Sequence, residues 1–256
     1  MRPELSDDAV LGGRLRLLQP RTGHRFGHDA ILLAAAVQAN AGERALELGS
    51  GIGAAGLALA WRIAGLSVSL IELNPILAEL AQENARRNGL ADRVSTHCLD
   101  ATAPLEAFAA AGLVAGSFDH VLSNPPFNDP ARHNASPDPA RRGAHLGSDL
   151  RSWIASAAQL LRPQGTLTLI YRADGLAEVL DALAGDVGSI AIVPIFPKPN
   201  AGAIRAVVRG LKGSRGALTL CPGLLLNEGG RPTQAAEAIL REGAALNFAE
   251  QGLIAL

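Results

Sequence analysis

The chain has 256 residues, 48% of them apolar, with 23 Lys and Arg against 24 Asp and Glu for a formal net charge of −1. That length buries a sizeable core without disulfides, so Cys98 and Cys221, far apart and outside any Cys-x-x-Cys or Cys/His spacing, read as small buried hydrophobes and not as metal ligands. The acids and proline of residues 1–8 do not make a secretory signal, and the alanine-rich run 30–39 is too short to span a bilayer, so a soluble cytoplasmic protein with no membrane or metal partner is expected.

Arg25, His28 and Asp29 open a helix near Asp29, where the carboxylate either caps and ion-pairs or contacts a ligand. The apolar run 45–48 ends in Gly49, and 54–63 follows as a small-residue helix. A second strand, 67–72, stops at Asn74-Pro75, with Pro75 as the first residue of a helix running to about 88–89. Residues 93–98 form a third strand, after which Asp100 opens a loop, and 118–123 a fourth, leading into Ser123-Asn124-Pro125-Pro126-Phe127. The stretch 130–147, rich in Arg, Pro, His and Asp, is a long irregular loop of the kind that is functional or disordered. His133 and His145 within it have no metal spacing and read as surface residues. A helix over 150–161, a fifth strand over 165–171 and a helix over 173–184 come next, with Trp153 and Tyr171 in packing roles. Late strands at 190–196 and 203–208 are joined by a loop loose enough for an antiparallel edge. Strands alternating with helices at this spacing imply a mostly parallel α/β sheet covered on both faces.

Two motifs carry chemistry. Glu47-Leu48-Gly49-Ser50-Gly51-Ile52-Gly53 joins a strand to a helix, where glycines let a ligand approach the backbone and the helix N-terminus favours its polar end. Glu47 would repel a pyrophosphate but suits a cationic amino group, and the spacing is not Gly-x-Gly-x-x-Gly. Glu72 ends the second strand, where a carboxylate can take both ribose hydroxyls of a nucleoside, and Asp100 follows the third, within reach of an adenine amine. Acids at the carboxyl ends of consecutive parallel strands converge on one crevice. Beside them, Asn124 offers a carboxamide oxygen, Pro125 a carbonyl and Phe127 a ring face, a socket for a planar exocyclic NH2.

From Arg44 to Tyr171 these residues resemble class I S-adenosylmethionine-dependent methyltransferases of the amino-methylating group, a Rossmann-like fold. Residues 19–33 and 205–213 extend the similarity to bacterial methyltransferases that act on adenine N6 of valine tRNA beside the anticodon. The resemblance implies S-adenosyl-L-methionine as cofactor, with Glu47, Gly49, Gly51 and Gly53 at its methionine part, Glu72 at the ribose, Asp100 at the adenine and Asn124 by the methyl. It implies that Asn124, Pro125, Pro126 and Phe127 carry catalysis by holding the target amine for in-line displacement. It also implies that residues 1–43 cover the cofactor and that 44–256 form the methyltransferase domain with C-terminal strand and helix additions.

Three functions follow: a tRNA base methyltransferase, a glutamine N5-methyltransferase acting on a release-factor-like protein, and a cofactor-binding module without catalysis. Two basic segments, 132–172 and 198–215, favour the first, whether as an RNA footprint or as solvated faces. Some forty residues ahead of Arg44 are too few for the helical substrate domain of the second. An intact Asn-Pro-Pro-Phe argues against the third.

Overall fold

In the computed structural model, residues 4–23, 25–126, 150–246 and 248 are described. Phe127 and the whole of 130–147, with His133 and His145, lie outside the described residues. The chain starts with an antiparallel hairpin, β1 (Leu5–Val10) and β2 (Leu15–Pro20), turning at Gly12-Gly13. A strap ties it to α1 (His28–Ala36): Arg25 pairs with Asp8 at 2.8 Å, and the Phe26 N–H donates to the Gln19 side chain.

The alternating pattern then runs β3 (Arg44–Leu48), α2 (Ala54–Arg62), β4 (Ser67–Glu72), α3 (Pro75–Arg87), β5 (Val94–Cys98), α4 (Leu105–Ala110) and β6 (Phe118–Ser123). After the undescribed stretch come α5 (Leu150–Leu160), β7 (Leu161–Arg172), α6 (Leu176–Leu183), β8 (Val187–Phe196) and β9 (Arg205–Lys212). The short strands β10 (Thr219–Leu220) and β11 (Leu224–Leu225) both pair with β8. Pro75 at the first helical position and Asn74 before it, accepting from the Ile76 and Leu77 N–H groups, set the start of α3.

The main sheet has the order β10-β8-β9-β7-β6-β3-β4-β5. Pairing is parallel from β7 to β5, while β9 runs antiparallel between β7 and β8. Its two faces bury separate cores, as strands covered on both sides require: Ala45, Leu122 and Ile170 lie with α1, α2 and α3, whereas Leu46, Leu48, Val121 and Leu169 lie with α4, α5 and α6. The chain moves outward from β3 through β4 to β5 and returns to the other side of β3 as β6. Strand order therefore reverses between β3 and β6, opening a crevice at their carboxyl ends.

Several expectations change: strand 165–171 extends over Leu161–Arg172 and strand 190–196 over Val187–Phe196. Strand 203–208 begins at Arg205 and runs on to Lys212, because ladders to β7 and β8 carry the backbone past the end of the apolar run. Helix 173–184 divides into a 3-10 turn at Ala173–Gly175 and α6. Cys98 is exposed, because β5 is the edge strand and Cys98 ends it at the open rim; Cys221 is buried as expected. The hairpin, rich in Asp and Arg, was not expected. Its outer edge is paired by α3: Asn84 and Asn88 each accept from and donate to the backbone of β2, at Leu18 and Arg16 respectively.

Candidate functional site

The carboxyl ends of β3, β4, β5 and β6 bring the expected residues other than Phe127 to one rim. Gly49, Gly51 and Gly53 hold φ of +70°, +56° and +84°, so the loop between β3 and α2 turns through conformations that favour glycine. A Cβ on Gly49 would stand 2.8 Å from the Trp153 ring, which closes the floor beneath the loop. The Ser50 N–H donates to the Ile71 carbonyl and the Gly53 N–H to the Ser50 carbonyl, and the Ser50 hydroxyl is buried with no partner among the described residues.

Glu47 is 4% exposed and its Oε2 accepts from the Gly56 N–H at 2.7 Å, supplying from β3 the cap that Gly53 lacks at the start of α2. Burial pushes its carboxyl up to about 8; the Gly56 bond opposes this, and the nearby Glu72 charge adds to it. Glu72 accepts from the Gly51 N–H at 2.8 Å and from the Asn74 N–H at 2.8 Å, so it joins the glycine loop to the start of α3. Asp100 is exposed beyond β5 and accepts from the Thr102 N–H and hydroxyl, both at 2.8 Å.

Across β3, Ser123 ends β6, and its hydroxyl donates to the Leu48 carbonyl at 2.8 Å while accepting from Trp153 Nε1 at 2.8 Å. That relay braces the two strand ends on either side of the crevice. Directly after it, the Asn124 carboxamide oxygen is buried and has no hydrogen-bond partner among the described residues. Pro125 is buried and Pro126 exposed. Phe127, the remaining member of the expected catalytic set, lies outside the described residues.

Sequence reasoning gave Trp153 packing alone; its indole N–H is also the donor that fixes Ser123. The signal was available, since a buried Trp requires an acceptor and Ser123 adjoins Asn124. Tyr171, 3% exposed, packs as expected. Asp29 accepts from Arg205 at 2.7 Å, the ion-pair reading, and the two border a cavity of about 270 Å³ between α1 and the β8–β9 connection. Within the basic segment 198–215, Arg205 holds Asp29, Arg209 donates to Gln38 at 2.6 Å and lies 4.0 Å over the Phe248 ring, and Lys212 donates to the Leu161 carbonyl at 2.6 Å, while Lys198 and Arg215 are exposed. Strand pairing sets Arg205, Arg209 and Lys212 against neighbouring elements, a placement that charge counting does not see.

The methyltransferase small domain family model matches residues 24–194, two thirds of the chain and the whole of this rim. The chain belongs to that family. A crystal structure of a predicted O-methyltransferase, protein Atu636 from Agrobacterium tumefaciens, is 30% identical to this family member, with a TM-score of 0.73 over 85% of this chain and 97% of that one. A tRNA1(Val) (adenine(37)-N6)-methyltransferase from Serratia proteamaculans is 33% identical over 60% of this chain and 57% of its own length. A release factor glutamine methyltransferase from Chlorobaculum tepidum is 30% identical over 61% of this chain and 55% of its own length. The family member thus spans less than two thirds of these curated relatives.

Methyltransferases of this fold use S-adenosylmethionine, and the rim suits it. Its polar set consists of carboxylates, a carboxamide, a hydroxyl and backbone N–H groups, with oxygens on Ser50 and Asn124 that have no partner among the described residues, matching a cationic adenosyl ligand better than a pyrophosphate. Among the described residues no helix is long and apolar enough to cross a membrane.

Proposed function

We propose that the chain transfers a methyl group from S-adenosylmethionine to the exocyclic N6 of an adenine in tRNA, beside the anticodon, as a cytoplasmic enzyme. Transfer to a nitrogen is supported by the Asn124 oxygen, buried at the end of β6 with no partner among the described residues, and tRNA adenine by the names of the relatives. A buried acceptor without a donor loses hydration with no return, and a substrate N–H restores the bond. With the Pro125 carbonyl beside it, the site presents two acceptors, matching the two protons of an NH2; a hydroxyl substrate brings one. This favours nitrogen over oxygen as the methyl acceptor.

The cofactor supplies an electrophilic methyl on a cationic sulfur. Glu47 takes the amino group of its methionine part, Glu72 the ribose and Asp100 the adenine, while Gly49, Gly51 and Gly53 admit the ligand to the loop backbone. Asn124 and Pro125 hold both amine protons in a plane, turning the nitrogen lone pair towards the methyl, and Phe127 stacks on the target base. The nitrogen then sheds one proton to water, since neither acceptor retains it. The hairpin and strap within residues 1–43 cover the cofactor.

Arg205, Arg209 and Lys212 are engaged internally, which supports a second reading: transfer to a glutamine side-chain NH2 of a release-factor-like protein, whose flat amide fits the same two acceptors. Incubation with labelled S-adenosylmethionine and tRNA from a strain lacking this chain separates the two. Labelled N6-methyladenosine after nucleoside digestion supports the first; label in protein and none in RNA refutes it in favour of the second.

A further inference from the structure

We infer that Asn84 is a positioning residue for the cofactor, a carboxamide latch coupling the shape of the glycine loop to docking of the N-terminal hairpin. This rests on the cofactor site proposed for that loop. Four residues of helix rise about 6 Å, and two residues of strand about 6.6 Å. Asn84 and Asn88 of α3 therefore present side-chain amides in register with Leu18 and Arg16 of β2, imitating a neighbouring strand. The Leu18 N–H donates to Asn84 Oδ1 at 2.8 Å and Asn84 Nδ2 donates to the Leu18 carbonyl at 3.0 Å. Arg16 and Asn88 make the same exchange at 3.0 Å and 2.9 Å.

The two asparagines differ in their remaining bond. Asn88 Nδ2 also donates back to the Asn84 carbonyl in its own helix, at 2.8 Å, whereas Asn84 Nδ2 also donates to the Ile52 carbonyl of the glycine loop, at 3.1 Å. Asn84 is 0% exposed, so water replaces none of these bonds. The fixed Ile52 carbonyl belongs to the peptide whose Gly53 N–H closes the turn on Ser50, one residue past the Gly51 N–H held by Glu72. Releasing it lets the loop relax away from the shape that receives the ligand, while the hairpin loses its hold at the same atom. Asn88 supplies the internal control, since it docks the hairpin without touching the loop.

The test compares Asn84→Ala, Asn84→Asp and Asn88→Ala by calorimetric titration with S-adenosylhomocysteine and by thermal melting. Both alanine variants should melt earlier than the wild type. The Asn84 variants should also bind about tenfold more weakly, or about 1.4 kcal/mol, while Asn88→Ala stays within about twofold. Hydrogen exchange on the unaltered chain gives a second readout that needs no variant to fold: added S-adenosylhomocysteine should slow exchange of the Leu18 amide and leave that of Arg16 unchanged. Folded Asn84 variants that bind as the wild type does, or equal slowing at Leu18 and Arg16, overturn the latch alone. Absence of binding to the wild-type chain overturns the cofactor reading and the latch with it.

Discussion

Replacing Glu47 by Gln should remove a pH dependence from the stability of the fold. Glu47 sits at 4% exposure with one oxygen on the Gly56 N–H, and its carboxyl is raised from 4.5 to about 8, mainly by burial. A change of one in pKa is worth about 1.36 kcal/mol, so ionising Glu47 inside the fold costs on the order of 5 kcal/mol. Between pH 4.5 and 8 the unfolded chain has released this proton and the folded chain still holds it. Folding then takes up a proton, so this group's contribution is complete below pH 4.5, falls as pH rises and levels off above about 8. A glutamine keeps an oxygen for Gly56 and does not titrate. Urea denaturation followed by Trp fluorescence should therefore place the two proteins within about 1 kcal/mol of each other at acid pH, as one altered hydrogen bond allows. At alkaline pH the variant should be the more stable by several kcal/mol. A stability difference that stays constant with pH refutes the buried, protonated carboxyl. The cationic amino group proposed to sit beside Glu47 should draw that proton off, so calorimetry near neutral pH in buffers of different ionisation enthalpy should register proton release on cofactor binding.

Asn124→Ala should slow methyl transfer by about two to three orders of magnitude, the scale of removing one preorganised hydrogen-bonding group, with S-adenosylhomocysteine affinity little changed; lost cofactor binding with intact turnover would reject its role. Trp153→Phe takes the only described donor from the Ser123 hydroxyl and part of the floor under Gly49, and should lower stability by about 1–3 kcal/mol, read as an earlier thermal melt. Arg209→Ala should likewise destabilise the chain, since the guanidinium bonds Gln38 and covers Phe248. It should leave the salt dependence of tRNA binding unaltered, whereas a slope shallower by about one would return Arg209 to phosphate contact.

The alternating elements and the rim were legible because their signals are local. Pro75 after Asn74 fixes a helix start, the glycines after Leu48 fix a turn, and Val121-Leu122 fixes a strand buried on both faces. The hairpin was not, because Asp7, Asp8, Arg14 and Arg16 dilute its apolar alternation and its edge is satisfied by side chains some seventy residues away. Basic residues 205–212 looked available in the sequence because nothing local reveals that Asp29, Gln38 and Phe248 face them across the sheet. Glu47 was legible as an acid at the loop, but its bond to Gly56 depends on how closely α2 approaches β3: a Cβ on Gly56 would lie 2.8 Å from that carboxylate.

The position of β9 between β7 and β8 also sets the order in which the sheet can be assembled. Every strand that pairs with β8, namely β9, β10 and β11, is synthesised after it. As the chain leaves the ribosome N-terminus first, β7 exposes an unpaired edge and β8 has no place in the sheet until residues 205–212 emerge. Unpaired edges recruit other strands, so a nascent chain stalled ahead of Arg205, or a fragment cut there, carries an open template along β7 that the finished protein hides.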